Sequence, residues 1–227
     1  PFVLVENSLV TLMFTDVTSQ ASVLPVPHQD FFTAAAESDG EIVLNDAKVK
    51  LMIDTRNKDK ITARVITGGE ISSHKGITLR NTKFRTEHPK EKDLHIYQQT
   101  KQNSTIRYAI SYIKDDFEMA QYRSWFGQEH HLIAKLERPE ALEHIPEIEH
   151  YCDELWVCRG DLGAEVGLRK MAAAVQVISS SIANFKNPVL MAGQVLEHMT
   201  FFDTPTRSEI CHLADLLAGG YKGVVLS

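Results

Sequence analysis

Two rhythms divide the chain. Through residue 86 the apolar positions come in short runs: Phe2 to Phe14, EIVLNDAKVKLMIDT from Glu41 to Thr55 with a break at Asn45-Asp46, and KITARVI from Lys60 to Ile66, which alternates before Gly68-Gly69. Short runs rich in Val, Ile and Thr at period two read as strands, because successive strand side chains point to opposite faces. Several at this spacing predict a small β-barrel or sandwich over residues 1–86. Ser19 to Gly40, with two prolines and a polar end, reads as irregular connection or edge structure.

From about His88 strand runs alternate with helical ones. HPKEKDLHIYQQTKQ reads as a helix with Pro89 in its first turn, RYAISYI as a strand, and DDFEMAQYRSWFG as a helix closed by Gly127. HLIAKLE, ELWVCRG, NPVLMAG and YKGVVLS complete about five strands. Between HLIAKLE and ELWVCRG, Leu142, Ile145, Ile148 and Tyr151 recur at helical spacing. LRKMAAAVQVISSSIANF carries Leu168, Met171, Ala172, Val175, Ile178 and Ile182 three or four apart, which predicts a helix face packed on the core. Parallel strands need crossover connections, so repeated βα units predict a parallel sheet over residues 87–227. Its architecture is a (β/α)8 barrel or a doubly wound sheet, between which periodicity does not choose.

Candidate chemistry gathers where the apolar runs stop. AKLE and CRGDLGAE end consecutive predicted strands, placing Glu137 and Asp161 at the carboxyl ends of neighbours whose backbones lie roughly 5 Å apart. Two carboxylates so close repel unless a cation neutralises them, and hard oxygen donors suit Mg²⁺ or Mn²⁺. The plainer alternative is a surface carboxylate and a helix cap. Lys135, two residues before Glu137, shares its face of the strand. Thr206 and Glu209 fit a capping box at a helix start, a structural task; spacing supports no further role for Arg207.

The remaining features narrow the class. The 227 residues carry a net charge of -6 with dispersed Lys and Arg, which gives no footprint for nucleic acid. No apolar run approaches the roughly 20 residues of a membrane span. Three cysteines without CxxC spacing predict reduced thiols and a cytoplasmic location. His150, Cys152 and Asp153 lack a second set of zinc ligands and read as an ordinary helix end. A start at Pro1 and a stop at the end of a strand lead us to expect a piece of a longer polypeptide.

These motifs resemble the pyruvate kinase family over most of the chain. Besides KLE and RGDLGAE, the runs NPVLMAGQVLEHM, TPTRSE and ADLLAGGYKGVVLS follow the order of the family's ATQMLESM, PTRAE and IMLS segments, and GGEISSHKGITLRNTKF is similar to the segment leaving its B domain. The resemblance implies a partial (β/α)8 TIM barrel, strands four to eight of the A domain, in residues 87–227, with the small β-barrel B domain, a lid, in residues 1–86. It implies a glycolytic, Mg²⁺-dependent (or Mn²⁺-dependent) transfer of phosphate from phosphoenolpyruvate to ADP, giving pyruvate and ATP. K⁺ is a further family cation, whose ligands lie in barrel strands absent here. By the same resemblance Glu137 and Asp161 bind the divalent metal, and Lys135 neutralises charge on the moving phosphoryl group. Gly160 and Asp161 hold the substrate carboxylate through backbone N–H groups, Ser111 and Lys75 stand near the substrate, and the full-length protein is a homo-oligomer.

Three departures qualify this. The family's ATQ is Ala192-Gly193-Gln194 here, so the threonine associated with protonating enolpyruvate is replaced by Gly193. Its VDDG is weakened to Asn45-Asp46-Ala47 and its LPG turn has become Leu79-Arg80-Asn81, which puts lid closure in question. Two rival readings are a metal-dependent aldolase or lyase acting on pyruvate or oxaloacetate, and a non-catalytic relative that binds phosphorylated carboxylates.

Overall fold

The computed structural model describes residues 2–20, 22–38, 40–45, 47–73, 75–80, 82 and 91–226. The chain forms two compact units, Pro1–Thr86 with Gly163–Val166, and Glu87–Leu162 with Gly167–Ser227.

The first unit contains β1 (Phe2–Leu4), β2 (Leu9–Met13), β3 (Val23–Pro25), α1 (Gln29–Ala36), β4 (Glu41–Leu44), β5 (Val49–Asn57), β6 (Lys60–Thr67), β7 (Gly69–Ile71) and β8 (Ile77–Leu79). Six strands form one sheet in the order β3-β2-β6-β5-β4-β8, and β1 pairs with β7. The alternation in KITARVI appears directly as burial, with Ile61, Ala63 and Val65 buried and Lys60, Arg64 and Ile66 exposed. The expected break between β4 and β5 is a turn flanked by Asn45 and Ala47, both at positive φ; Asp46 lies outside the described residues. Within Ser19 to Gly40 the expected edge structure is β3, the outermost strand of this sheet, but the reading of the rest as irregular needs correcting, because the segment also holds α1. Phe31, Phe32 and Ala35 share the buried side of α1, and consecutive alanines supply helix propensity that the prolines before them obscured.

The second unit runs through α2 (Glu91–Thr100), β9 (Arg107–Ile110), α3 (Asp116–Phe126), β10 (His131–Leu136), α4 (Pro139–Glu143), α5 (Ile145–Ile148), β11 (Glu154–Cys158), the first half of α6 (Arg159–Val166), α7 (Leu168–Ser181), β12 (Val189–Ala192), α8 (Arg207–Ala218) and β13 (Gly223–Val225). Its strands lie side by side in chain order, β9-β10-β11-β12-β13, all parallel. A doubly wound sheet reverses its strand order at a switch point, and this one does not. The sheet is half of a singly wound barrel, which resolves the choice that periodicity left open.

Two helical expectations change. Leu142 to Tyr151 do not lie on one helix, because Pro146 has no N–H to donate and begins a new segment: α4, α5 and a 3-10 turn over Glu149–Tyr151 follow in succession. The stripe on α7 is core only in its second half. Ile178 is buried and Val175 and Ile182 pack beside it, whereas Leu168 is 72% exposed; spacing defines a helix face but not how far the partner extends. Pro89 lies outside the described residues. Gly127 closes α3 at φ 77, and Thr206 and Glu209 form the reciprocal capping box at α8. No helix among the described residues is long and apolar enough to cross a membrane.

The amino ends of β10 and β11 are tied together by a buried arginine. Arg123, 6% exposed, donates to the carbonyls of Tyr151, Gly127 and His130 and to Asp153 Oδ2 at 2.6 Å. The same Asp153 oxygen accepts from the Leu132 N–H at 2.8 Å. Partial burial opposes ionisation of Asp153, but the Leu132 amide and the Arg123 guanidinium hold its carboxyl below the usual range. A carboxyl depressed in the folded state stabilises above its unfolded pKa, about 3.9, and that contribution is lost as pH falls through the lower folded value. Arg123→Ala is expected to cost about 3 kcal/mol at neutral pH by orphaning these acceptors. In urea titrations at several pH values, the gap between variant and parent should narrow below about pH 4, as Asp153 protonates in both.

Candidate active site

The carboxyl ends of β9 to β12 bring together residues from four successive strands. Ala134 pairs with Ile110 and Lys135 with Trp156, so Ser111 stands beside Lys135 on one side while β11 lies on the other. Cys158 pairs with Ala192, which sets Arg159 beside Gly193. An in-register parallel sheet thus collects side chains far apart in sequence along one edge, the edge where barrels carry their chemistry.

Glu137 is the most enclosed member, at 1% exposure. Its Oε1 lies 2.6 Å from Lys135 Nζ, and its Oε2 accepts from the Tyr112 backbone N–H at 2.7 Å. Lys135 also donates to Ser111 Oγ at 3.1 Å. Asp161, on the first turn of α6, accepts at Oδ1 from the Tyr112 hydroxyl at 2.9 Å. Burial pushes the Glu137 carboxyl above its usual range; Lys135 opposes that push and the nearby charge of Asp161 adds to it. For Lys135, burial alone would lower the pKa, but Glu137 beside it and Asp161 beyond hold the ammonium above the ordinary lysine value. Lys135 therefore stays charged. One cation faces two carboxylates.

That donor set suits a hard divalent ion. Mg²⁺ and Mn²⁺ are commonly held by one or two carboxylates, with water and substrate oxygens completing the shell. Among the described residues no group of three or more His, Cys, Asp or Glu side chains is placed to hold a metal ion, so this pair would depend on water and substrate oxygens for the rest of the shell. Cys158 lies at the same edge, but burial, with Glu137 adding to it, pushes its thiol up, and its Sγ donates to the Trp156 carbonyl. Asp153 is engaged by Arg123 and Leu132, and burial pushes the Cys152 thiol up to about 12.

Gly193 occupies a different setting from the one its sequence suggests. Its φ is 86, and Gln194 and Leu196 also have positive φ, so the chain leaves β12 through a left-handed turn. Arg159 grips this turn, donating from Nε to the Gly193 carbonyl at 3.0 Å and from Nη2 to the same oxygen, while Nη1 donates to His212 Nε2 at 2.9 Å. A Cβ on Gly193 would stand 3.2 Å from the Gly160 nitrogen. A threonine here would carry backbone strain and a close contact.

Of the residues singled out from sequence, Lys135, Glu137, Ser111, Gly160, Asp161 and Gly193 fall at this one edge. Lys75 belongs to the first unit, where it lines a cleft with Ser73, His28 and Asp16. Sequence reasoning missed Tyr112 and Arg159. The signal for each was its neighbour, since Tyr112 follows Ser111 and Arg159 opens the RGD run.

The model of the pyruvate kinase barrel domain matches residues 9–227. The pyruvate kinase of Methylorubrum extorquens is 29% identical over 89% of this chain and 42% of its own length. That of Thermococcus litoralis is 25% identical over 98% of this chain and 47% of its own. Plastidial pyruvate kinase 2 of Arabidopsis thaliana is 27% identical over 92% and 36%. The chain spans less than half the length of these relatives. A parallel half-barrel with lysine and paired acids along its carboxyl edge, matched by the barrel-domain model over nearly every residue, makes this chain a member of the pyruvate kinase family.

Proposed function

We propose that the chain carries the metal-binding and phosphoryl-transfer part of a pyruvate kinase, acting on phosphoenolpyruvate and ADP in the cytoplasm as part of a homo-oligomer. The observation that carries this reading is the ammonium of Lys135 held 2.6 Å from a buried Glu137, with Asp161 joined to the same cluster through Tyr112. Glu137 and Asp161 would hold Mg²⁺ or Mn²⁺, which supplies charge neutralisation at the phosphoryl oxygens. Lys135 stabilises the loose transition state of the moving phosphoryl group, where negative charge spreads over its oxygens. Ser111 accepts from Lys135 and so helps aim it. The backbone N–H groups of Gly160 and Asp161, in the first turn of α6, are donors for the substrate carboxylate. The first unit, with Lys75, would be the B domain that closes over the substrate, and K⁺ would be bound by family residues outside this sequence.

The bare Gly193 favours a second reading, a metal-dependent lyase or aldolase acting on pyruvate or oxaloacetate, which needs no hydroxyl there. Transfer of the phosphoryl group to ADP separates the two: ATP formation supports the kinase, and cleavage of oxaloacetate without it supports the lyase.

Glu137→Gln and Asp161→Asn are each expected to weaken Mn²⁺ binding by more than about 100-fold, beyond the 10–100-fold typical of residues that merely support metal ligands. Calorimetric titration with Mn²⁺ measures this, and unchanged affinity in both variants would remove the metal site. Lys135→Met should lower kcat by about 10²–10³-fold with a much smaller rise in KM, because the charge it meets is greatest between donor and acceptor. A change confined to KM would assign Lys135 to ground-state binding instead.

Proton delivery is the step that Gly193 compromises, and a general acid typically contributes about 10²–10⁴-fold. The protein is expected to exchange the methyl protons of pyruvate with solvent deuterium slowly, as followed by NMR with metal and phosphate present. Adding the family's threonine is not a clean restoration, since φ 86 imposes about 1–3 kcal/mol of strain on a residue with a side chain. Exchange in the parent protein as fast as in threonine-bearing relatives would show that another group supplies the proton.

A further inference from the structure

Tyr112 touches both acids of the cluster, and by two different parts of itself. Its backbone N–H donates to Glu137 Oε2 at 2.7 Å, and its phenol donates to Asp161 Oδ1 at 2.9 Å. The backbone conformation permits this double reach. Tyr112 has φ 59, a left-handed conformation that bulky residues rarely adopt and that costs about 1–3 kcal/mol unless its surroundings compensate. The turn comes just past the end of β9, with Ser111 at the lysine and the next residue facing the carboxylates. Glu137 lies one residue beyond the end of β10 and Asp161 three residues beyond the end of β11, so no single element fixes their separation. Tyr112 bridges them from a third strand.

We propose that Tyr112 is a positioning residue which sets the orientation and spacing of the two metal-site carboxylates, its amide fixing Glu137 and its hydroxyl fixing Asp161. This rests on the reading of Glu137 and Asp161 as metal ligands. Each carboxylate has one oxygen held by Tyr112, so the rotation of each carboxyl group is restricted before any cation arrives. Hydrogen-bonded supports of this kind raise affinity by removing the cost of orienting the ligand at the moment of binding. The two contacts respond differently to substitution: Tyr112→Phe keeps the amide contact to Glu137 and removes only the hydroxyl contact to Asp161.

The test is a Mn²⁺ titration of the protein and of Tyr112→Phe followed by electron paramagnetic resonance, with thermal melting of both in the metal-free state. The expected result is an affinity about 10-fold lower in the variant, an altered line shape of the bound ion, and a metal-free melting temperature within about 4 °C of the parent. Unchanged affinity and line shape in Tyr112→Phe, with the parent binding Mn²⁺ normally, would overturn the positioning role and leave the metal site standing. A loss of affinity accompanied by a larger fall in melting temperature would overturn it too, by making the hydroxyl a general structural support. A parent protein that takes up no Mn²⁺ at all would remove the metal reading, and the inference with it.

Discussion

The second unit is organised around a carboxylate that water hardly reaches. An ionised group at 1% exposure is stable only if the protein surrounds it with charge and donors, and Glu137 receives both, from the Lys135 ammonium and from the Tyr112 amide. These partners come from its own strand and from the neighbouring β9, so the parallel register is itself a condition for tolerating the charge. Asp161 then adds a second negative charge that nothing in the cluster fully offsets. Such an excess of charge is unfavourable for folding and favourable for a cation; Lys135 is held in its charged form, against its burial, mainly by Glu137, with Asp161 adding to it.

Much of this was legible in the sequence because it depends on short-range patterns. Lys135 and Glu137 share a strand face by period two, and hydrophobic runs that end in charge marked the strand ends. Strand and helix alternation was equally visible in HLIAKLE, ELWVCRG and NPVLMAG. Where helices were misjudged, local chemistry competed with periodicity: Pro146 split one helical pattern into α4 and α5, and the prolines before Gln29 hid the helix that Phe31 and Phe32 anchor. The choice between barrel and doubly wound sheet was legible only through the motifs that resemble the family, because strand order leaves no trace in the spacing of apolar residues.

What the sequence left out at the site, the residue Tyr112 and the setting of Gly193, has a common cause. Tyr112 and Gly193 act through backbone conformations, left-handed in both, and through a hydroxyl or a carbonyl aimed across strands. Gly193 looked like a threonine with its side chain removed, yet Arg159 holds its carbonyl and its Cβ position is crowded by the Gly160 nitrogen. A substitution read in one dimension suggests only what is lost. In three dimensions the turn is held by an arginine through its carbonyl.

Arg123 and Asp153 sit at the opposite ends of the strands that carry Lys135, Glu137 and Asp161. The interactions that hold the strands in place and those that offer charge to a ligand are therefore separated by the length of β10 and β11, about 16–20 Å at the rise of a strand. Arg123 and Asp153 fix the strands at one end, while Lys135, Glu137 and Asp161 gather charge at the other. The two ends of the strands thus carry different tasks, strand fixation at one and charge display at the other.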